Sequence, residues 1–392
     1  MPRRSSVLRT PALLIAIAAG GACGVASAEP FVPAHPSVVV ETLRDRPLDR
    51  TDREFRQLRA ALRRNPTLLP LATQIAQRAI EIARRDSDPR YLGYAQAALK
   101  PWHGTVAVPA SVRLFDAILL QSNHRFDDAL SLLDQVLRDN PENAQAWLTR
   151  ASVLQVQARY AEAKASCARL KALGAAVHAD ACLAELDSLS GNAKRALAGL
   201  NQLIGRLASA GTATPGWLAL IRAEMAERMG KLQQAELDYQ AALRAGTDAY
   251  AKAAYADFLL DRGRAAEVIA LLERDQRADP LLLRLALAYQ AANDPKASRA
   301  VAALAARFAA ARARGDTVHL REETRFTLHL LHQPAEALRL AQQDWAAQKE
   351  PADARVLLEA AQAAGDQVTL QSVRAALRES GLIDQRLAPF LQ

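Results

Sequence analysis

Alternating runs of β-branched residues are nearly absent from the 392-residue chain; Ser37 to Val40 is the one short hint. That scarcity argues against a β-sandwich or barrel, whose strands need such runs. Aromatic residues make up 5% of the chain, which leaves little for stacking platforms. Glycine and proline number 17 and 18 and fall mostly between periodic segments. Past residue 30 no apolar run is long enough to span a bilayer. Neither sign of charge is concentrated. Beyond residue 28 there are 47 basic and 42 acidic side chains, interspersed as in Arg274-Asp275-Gln276-Arg277. A nucleic-acid binder more often carries a basic stripe. The one local cluster, Arg53 to Arg64, reads as the solvated face of a helix.

Catalytic signatures are missing too. There is no Gly-rich phosphate loop, no Gly-x-Ser-x-Gly elbow and no Cys-x-x-Cys pair. The seven histidines are scattered. His329 and His332 sit three apart, with no carboxylate or cysteine at ligand spacing beside them. Asp127-Asp128 and Glu322-Glu323 read as helix starts or solvated faces. No catalytic residue, metal site or cofactor is assigned, and a non-enzymatic protein is expected.

What the chain does have is alanine, leucine and helical periodicity. Arg3, Arg4 and Arg9 precede an apolar stretch from Leu13 to Val25, and Ala26-Ser27-Ala28 matches a signal-peptidase site. Residues 1–28 are therefore expected to be a signal peptide, and the mature protein periplasmic or secreted. Lipidation at Cys23, twin-arginine export and an uncleaved anchor are the other readings. Residues 29–50, with Pro30, Pro33, Pro36 and Pro47, read as an extended leader. Residues 51–109 read as a helical cap or degenerate repeat. Its first helix opens on a capping box at Thr51 and Glu54, a second covers about 68–84, and a third follows Pro89.

From Ala110 a period near 34 residues sets in. The clearest unit holds Trp147, Ala151, Leu154, Tyr160, Ala163, Cys167 and Leu170. Ala117, Phe126, Ala129 and Leu133 precede it at like offsets; Ala223, Ala226, Ala235 and Tyr239 follow, as do Ala256, Leu259 and Val268. The turns inside the units recur as His124-Arg125, Ala158-Arg159, Gly191-Asn192, Gly230-Lys231, Gly263-Arg264 and Asn293-Asp294. Helices cross closely where one presents alanine and the other a ring or leucine, and a hairpin buries its apolar face only by stacking on neighbours.

This spacing resembles the tetratricopeptide repeat. Two departures stand out: the tryptophan offset is kept only at Trp147, and alanine replaces glycine at the eighth offset. The resemblance implies an all-α fold, a right-handed superhelical solenoid of antiparallel helix hairpins. About seven or eight repeats are expected over 110–381, with 382–392 as a tail. It also implies a concave groove lined by the first helix of each hairpin. The corresponding positions include Gln121, Gln155, Glu224, Glu227, Arg228 and Asp257. Some family members clamp a terminal carboxylate with lysine and asparagine at the fifth and ninth offsets. Here those offsets hold Leu114 and Ile118, Leu148 and Ser152, or Leu220 and Glu224, so the clamp is absent. In such a stack Cys167 and Cys182 lie on helices packed side by side, and a disulfide is expected; two buried free thiols are the other reading. The function implied is an exported scaffold for a protein or peptide partner in the cell envelope. A carbohydrate-linked role in polysaccharide export is the alternative. It would favour exposed aromatics near the groove, such as Trp217 and Tyr250.

Overall fold

A computed structural model describes residue 35 and residues 50–246, 248–316 and 318–391. The expected signal peptide, and all of the leader except His35 and Arg50, lie outside the described residues. Among the described residues there are nineteen α-helices and no strand, and no helix is long and apolar enough to cross a membrane.

Three helices open the array: α1 (Arg50–Arg64), α2 (Leu69–Asp86) and α3 (Arg90–Leu99). Helix α1 already includes Thr51, so that residue is not its cap. Glu54 pairs with Arg50 at 2.7 Å, and Asp52 accepts from the Tyr91 hydroxyl at 3.2 Å. Eight hairpins follow: α4 (Ala110–Ser122) with α5 (Phe126–Asp139), α6 (Ala144–Val156) with α7 (Tyr160–Ala172), α8 (Ala176–Leu189) with α9 (Ala193–Ser209), and α10 (Gly216–Arg228) with α11 (Leu232–Ala245). Then come α12 (Ala249–Leu260) with α13 (Ala265–Leu272), α14 (Asp279–Ala291) with α15 (Lys296–Ala313), α16 (Leu320–His329) with α17 (Pro334–Ala347), and α18 (Pro351–Ala364) with α19 (Gln367–Ser380). A 3-10 turn at Gln385–Phe390 ends the described chain.

The packing follows the alternation of small and large side chains. Ala151 and Ala163 are buried against Leu154 and Leu170, and Tyr239 is buried with Phe258 at a ring distance of 5.4 Å. His124, Ala158, Gly191, Gly230, Gly263 and Asn293, the first residues of the recurring turns, all have positive φ. The left-handed residue ends one helix and reverses the chain. Cys167 on α7 and Cys182 on α8 are joined by a disulfide, with Cα atoms 6.0 Å apart. It staples the second hairpin to the third.

The solenoid also closes on itself. The Lys349 amide, just ahead of α18, donates to the Val156 carbonyl at the end of α6 at 2.8 Å. Arg355 on α18 makes a bidentate pair with Asp261 at the end of α12, at 2.6 and 2.8 Å. Helix α2 packs across the interior against α12. The C-terminal segment then lies on two hairpin turns. A Cβ on Gly381 would sit 3.0 Å from the Gly191 Cα, and one on Gly230 would overlap the Gln385 side chain.

Two outcomes follow from this architecture. Replacing Cys167 and Cys182 together by alanine is expected to lower unfolding stability by about 3 kcal/mol, the loop-entropy value for a crosslink across this short a segment; a urea midpoint unchanged by the substitution would contradict it. Gly365 and Gly381 share the left-handed conformation, but no atom lies within 4 Å of a Cβ on Gly365. Gly365→Ala should therefore cost only about 1–2 kcal/mol of backbone strain. Gly381→Ala should cost measurably more in the same urea titration, because the seam with Gly191 must part.

Candidate functional site

Closure leaves a central cavity of about 760 Å3. Its wall comes mainly from the first helices of the hairpins, with the end of α2 on one side and Arg386 of the C-terminal segment on another. Five of the six groove positions read from the sequence, Gln155, Glu224, Glu227, Arg228 and Asp257, line this one cavity. Gln121 does not; His124, three residues on, takes a place in the wall instead.

One side of the wall, built by α12, α14, α16 and α18, is a lattice of paired charges. Asp257 accepts from Arg284 at 2.7 Å and from Arg325 at 2.9 Å. Arg284 also reaches Glu322 at 3.5 Å. Arg321 pairs with Glu350 at 3.1 Å and with Asp353 at 3.0 Å. Arg355 pairs with Glu359 at 2.7 Å as well as with Asp261, and His329 meets Glu359 at 3.0 Å. Burial raises Glu350, and it raises Asp353 to about 7, in spite of Arg321; it would do the same to Asp257 and Glu322. The guanidinium groups of Arg284 and Arg325 outweigh it and hold Asp257 well below the usual range. Against the same effect of burial, Arg321 and Arg284 draw Glu322 down to about 2. Glu322 and Glu323 lie in the first turn of α16, one of the two places expected for them, but they are buried rather than on a solvated face. Arg284 of the preceding hairpin and the adjacent Arg321 reach Glu322, and Arg312 of α15 reaches Glu323.

The opposite side, from α6, α8 and α10, has fewer cations than carboxylates can use. Gln155 donates to Glu185 at 3.0 Å, and the Tyr250 hydroxyl donates to Glu224 at 2.8 Å. Neither carboxylate has an ion-pair partner among the described residues. Arg228 is buried and donates to the Ser188 hydroxyl at 2.9 Å. Burial pushes Glu185 up, with the Arg228 charge and the Gln155 hydrogen bond opposing it. Burial pushes Glu224 up to about 7; Arg228 opposes this, while Glu185 and Glu350 add to it. Glu227 is better served: Tyr239 donates to it at 2.7 Å, and Arg262 and Arg386 stand at 3.5 and 3.6 Å.

Tyrosine and histidine complete the lining. Burial, then the Glu350 charge, pushes Tyr160 up to about 12. Burial, then the charges of His319 and Arg321, pushes His124 down to about 4. Tyr250 is 56% exposed, and it borders the cavity. Trp217, the other aromatic marked in the sequence, is outside the lining and stacks on His178 at 5.0 Å. His329 is bound by Glu359 and His332 approaches Gln290 at 3.5 Å, so the two histidines face different partners. Among the described residues no group of three metal-ligating side chains converges. The gathering of His124, His319, His329, Tyr160 and Tyr250 around one space was not visible as a sequence cluster. The signal for it was the charged and polar residues recurring at first-helix positions, from Glu185 to Arg355.

The fold and cavity define a helical-repeat solenoid with a polar interior. Residues 120–181 match the family model of the tetratricopeptide repeat. Among solved structures the chain is similar to the Rap protein complexed with competence and sporulation factor, at 12% identity over 84% of this chain and 94% of that one, with a TM-score of 0.46. It is similar to a tetratricopeptide repeat protein from Parabacteroides merdae, at 13% identity over 64% and 98%, with a TM-score of 0.38. It is also similar to yeast Tom70, at 11% identity over 87% and 83%, with a TM-score of 0.39. No curated protein matches the chain.

The upward shift of Glu224 has a signed consequence. Its carboxyl binds its proton more tightly in the folded chain than in the unfolded one. Its contribution to stability therefore falls as pH rises from about 4.5 to about 7 and is constant above. Glu224→Gln removes that penalty. It is expected to raise stability at pH 8 by roughly 2 kcal/mol relative to the parent chain, and to change little at pH 4. Equal effects at both pH values in urea titrations would contradict the assignment.

Proposed function

We propose that this protein is a non-enzymatic scaffold that works in the cell envelope after export and holds a short segment of a protein partner in its central cavity. The observation that carries the reading is the cavity itself. Closure of the solenoid turns the first-helix faces inward and leaves 760 Å3 between them. That size suits a small ligand or a few residues of extended peptide. It is too narrow for a folded partner to enter, so the recognised element is a chain end or an unfolded segment. The matched tetratricopeptide repeats support protein binding as the general role. Export rests on the Ala26-Ser27-Ala28 site and the apolar stretch before it. A carbohydrate partner would draw on several aromatic faces, and the cavity presents Tyr160 and Tyr250 alone for an open stack.

A photo-crosslinking side chain placed at Gln155, inside the cavity, tests this in intact source cells. An identical probe at Leu237, 56% exposed on α11, is the control. The reading expects a protein adduct from position 155 and none of the same species from position 237. Adducts from position 237 alone would move binding to the outer surface. Saccharide adducts from position 155 would favour the carbohydrate role.

A further inference from the structure

Three parts of the cavity wall take no share in the ion-pair lattice. Glu185 and Glu224 face the cavity with one hydrogen bond each, from Gln155 and Tyr250. Arg228 acts on both but stands beyond ion-pair distance of either, and it donates to the Ser188 hydroxyl. Arg84, at the end of α2, borders the cavity with no hydrogen bond or ion pair among the described residues. The Tyr250 ring is more than half exposed there. Glu185 and Glu224 are half-buried and Arg84 is exposed, so two carboxylates and one guanidinium without ion pairs remain open to an occupant of the cavity.

We infer that the cavity binds a short peptide through a cationic group, an ammonium or guanidinium, seated against Glu185 and Glu224. This rests on the cavity-binding reading above and adds the chemistry of recognition. A cation there would form charge-assisted hydrogen bonds to two acceptors already oriented by Gln155 and Tyr250. The rings of Tyr160 and Tyr250, both in the lining, offer π faces to the same charge. Arg84 supplies the opposite sign for a carboxylate or backbone carbonyl of the same ligand. The Arg284, Arg321 and Arg325 side cannot serve in its place, because Asp257, Glu322, Glu350 and Asp353 already occupy those guanidinium groups.

Binding should respond to pH in a defined direction. The groups around Glu224 are Arg228 on its own helix, Glu185 on α8, Tyr250 on α12 and Glu350 before α18. With Glu224 titrating near neutrality in the empty cavity, a cationic ligand must displace its proton. Affinity for a lysine ammonium therefore rises between pH 6 and pH 8 and levels off above, whereas affinity for a chain-terminal ammonium falls again as that group deprotonates at about pH 8.

Isothermal titration of the mature chain with four tetrapeptide probes tests the inference. The first is tetra-alanine amide with a free amino end. The second is an N-acetylated amide with one lysine, the third its neutral all-alanine counterpart, and the fourth carries glutamate in place of lysine. The expected result is that one of the two cationic probes binds roughly tenfold or more tightly than the neutral and acidic ones. Which one does so tells a chain-terminal ammonium from a side-chain ammonium. The preference should shrink in the E185Q/E224Q double variant and at high salt. Equal binding of all four probes would overturn the inference and leave the cavity-binding reading standing. Binding of none would overturn both. The comparison among probes is made on the unaltered protein, so it does not depend on the variant folding.

Discussion

The structure depends on a return contact: the end of the array meets its beginning, and polar inner faces are gathered around one cavity. Charges in that position must be paired or pay for desolvation. The Arg355–Asp261 pair, the double capture of Asp257 and the Arg321 fork onto Glu350 and Asp353 are how hairpins five to eight meet that demand. Such pairs add little net stability over an apolar contact, but a wrong register would leave them unmatched. Here they fix how far the superhelix winds before it closes. The glycine contact between Gly191 and Gly381 sets the approach of the closing surfaces, since a side chain at either position would hold them apart.

Against that background the unpaired groups gain meaning. A lattice able to pair Asp257 twice leaves Glu185, Glu224 and Arg84 without ion pairs. The α6 to α10 side and the α12 to α18 side thus do different work. The second is tied into ion pairs; the first turns two carboxylates without ion pairs toward the space between them. Preorganised acceptors of this kind lose little when a ligand arrives, because their positions are already set by Gln155 and Tyr250.

Local structure was legible in the sequence because its causes are local. Alanine at close crossings, a left-handed residue at His124, Ala158 or Gly230, and a period near 34 residues each report on neighbours within one or two hairpins. The inward positions Gln155, Glu224, Glu227, Arg228 and Asp257 could be marked because the resemblance to tetratricopeptide repeats implies that the first helix of each hairpin turns in. Closure could not be read this way. It is the sum of small rotations over successive hairpins, and no single segment encodes it. Glu322 and Glu323 do sit at a helix start, one of the two places read for them, but their burial depends on Arg284 and Arg312 reaching them from the preceding hairpin, which sequence adjacency does not show. The value of Gly381 is likewise invisible without its contact at Gly191. Thr51 shows the smaller failure, in which a plausible cap falls just inside the helix.

The most direct test of closure is hydrogen exchange at the segment that includes Lys349, whose amide is bonded across the seam to Val156. That residue precedes α18 and has no partner within its own hairpin for this amide. A closed solenoid predicts slow exchange there in the parent chain, and faster exchange once Asp261→Asn weakens the Arg355 contact, with α4 and α5 unaffected. Fast exchange at Lys349 in the parent chain would mean that the seam stands open in solution, and the cavity with it.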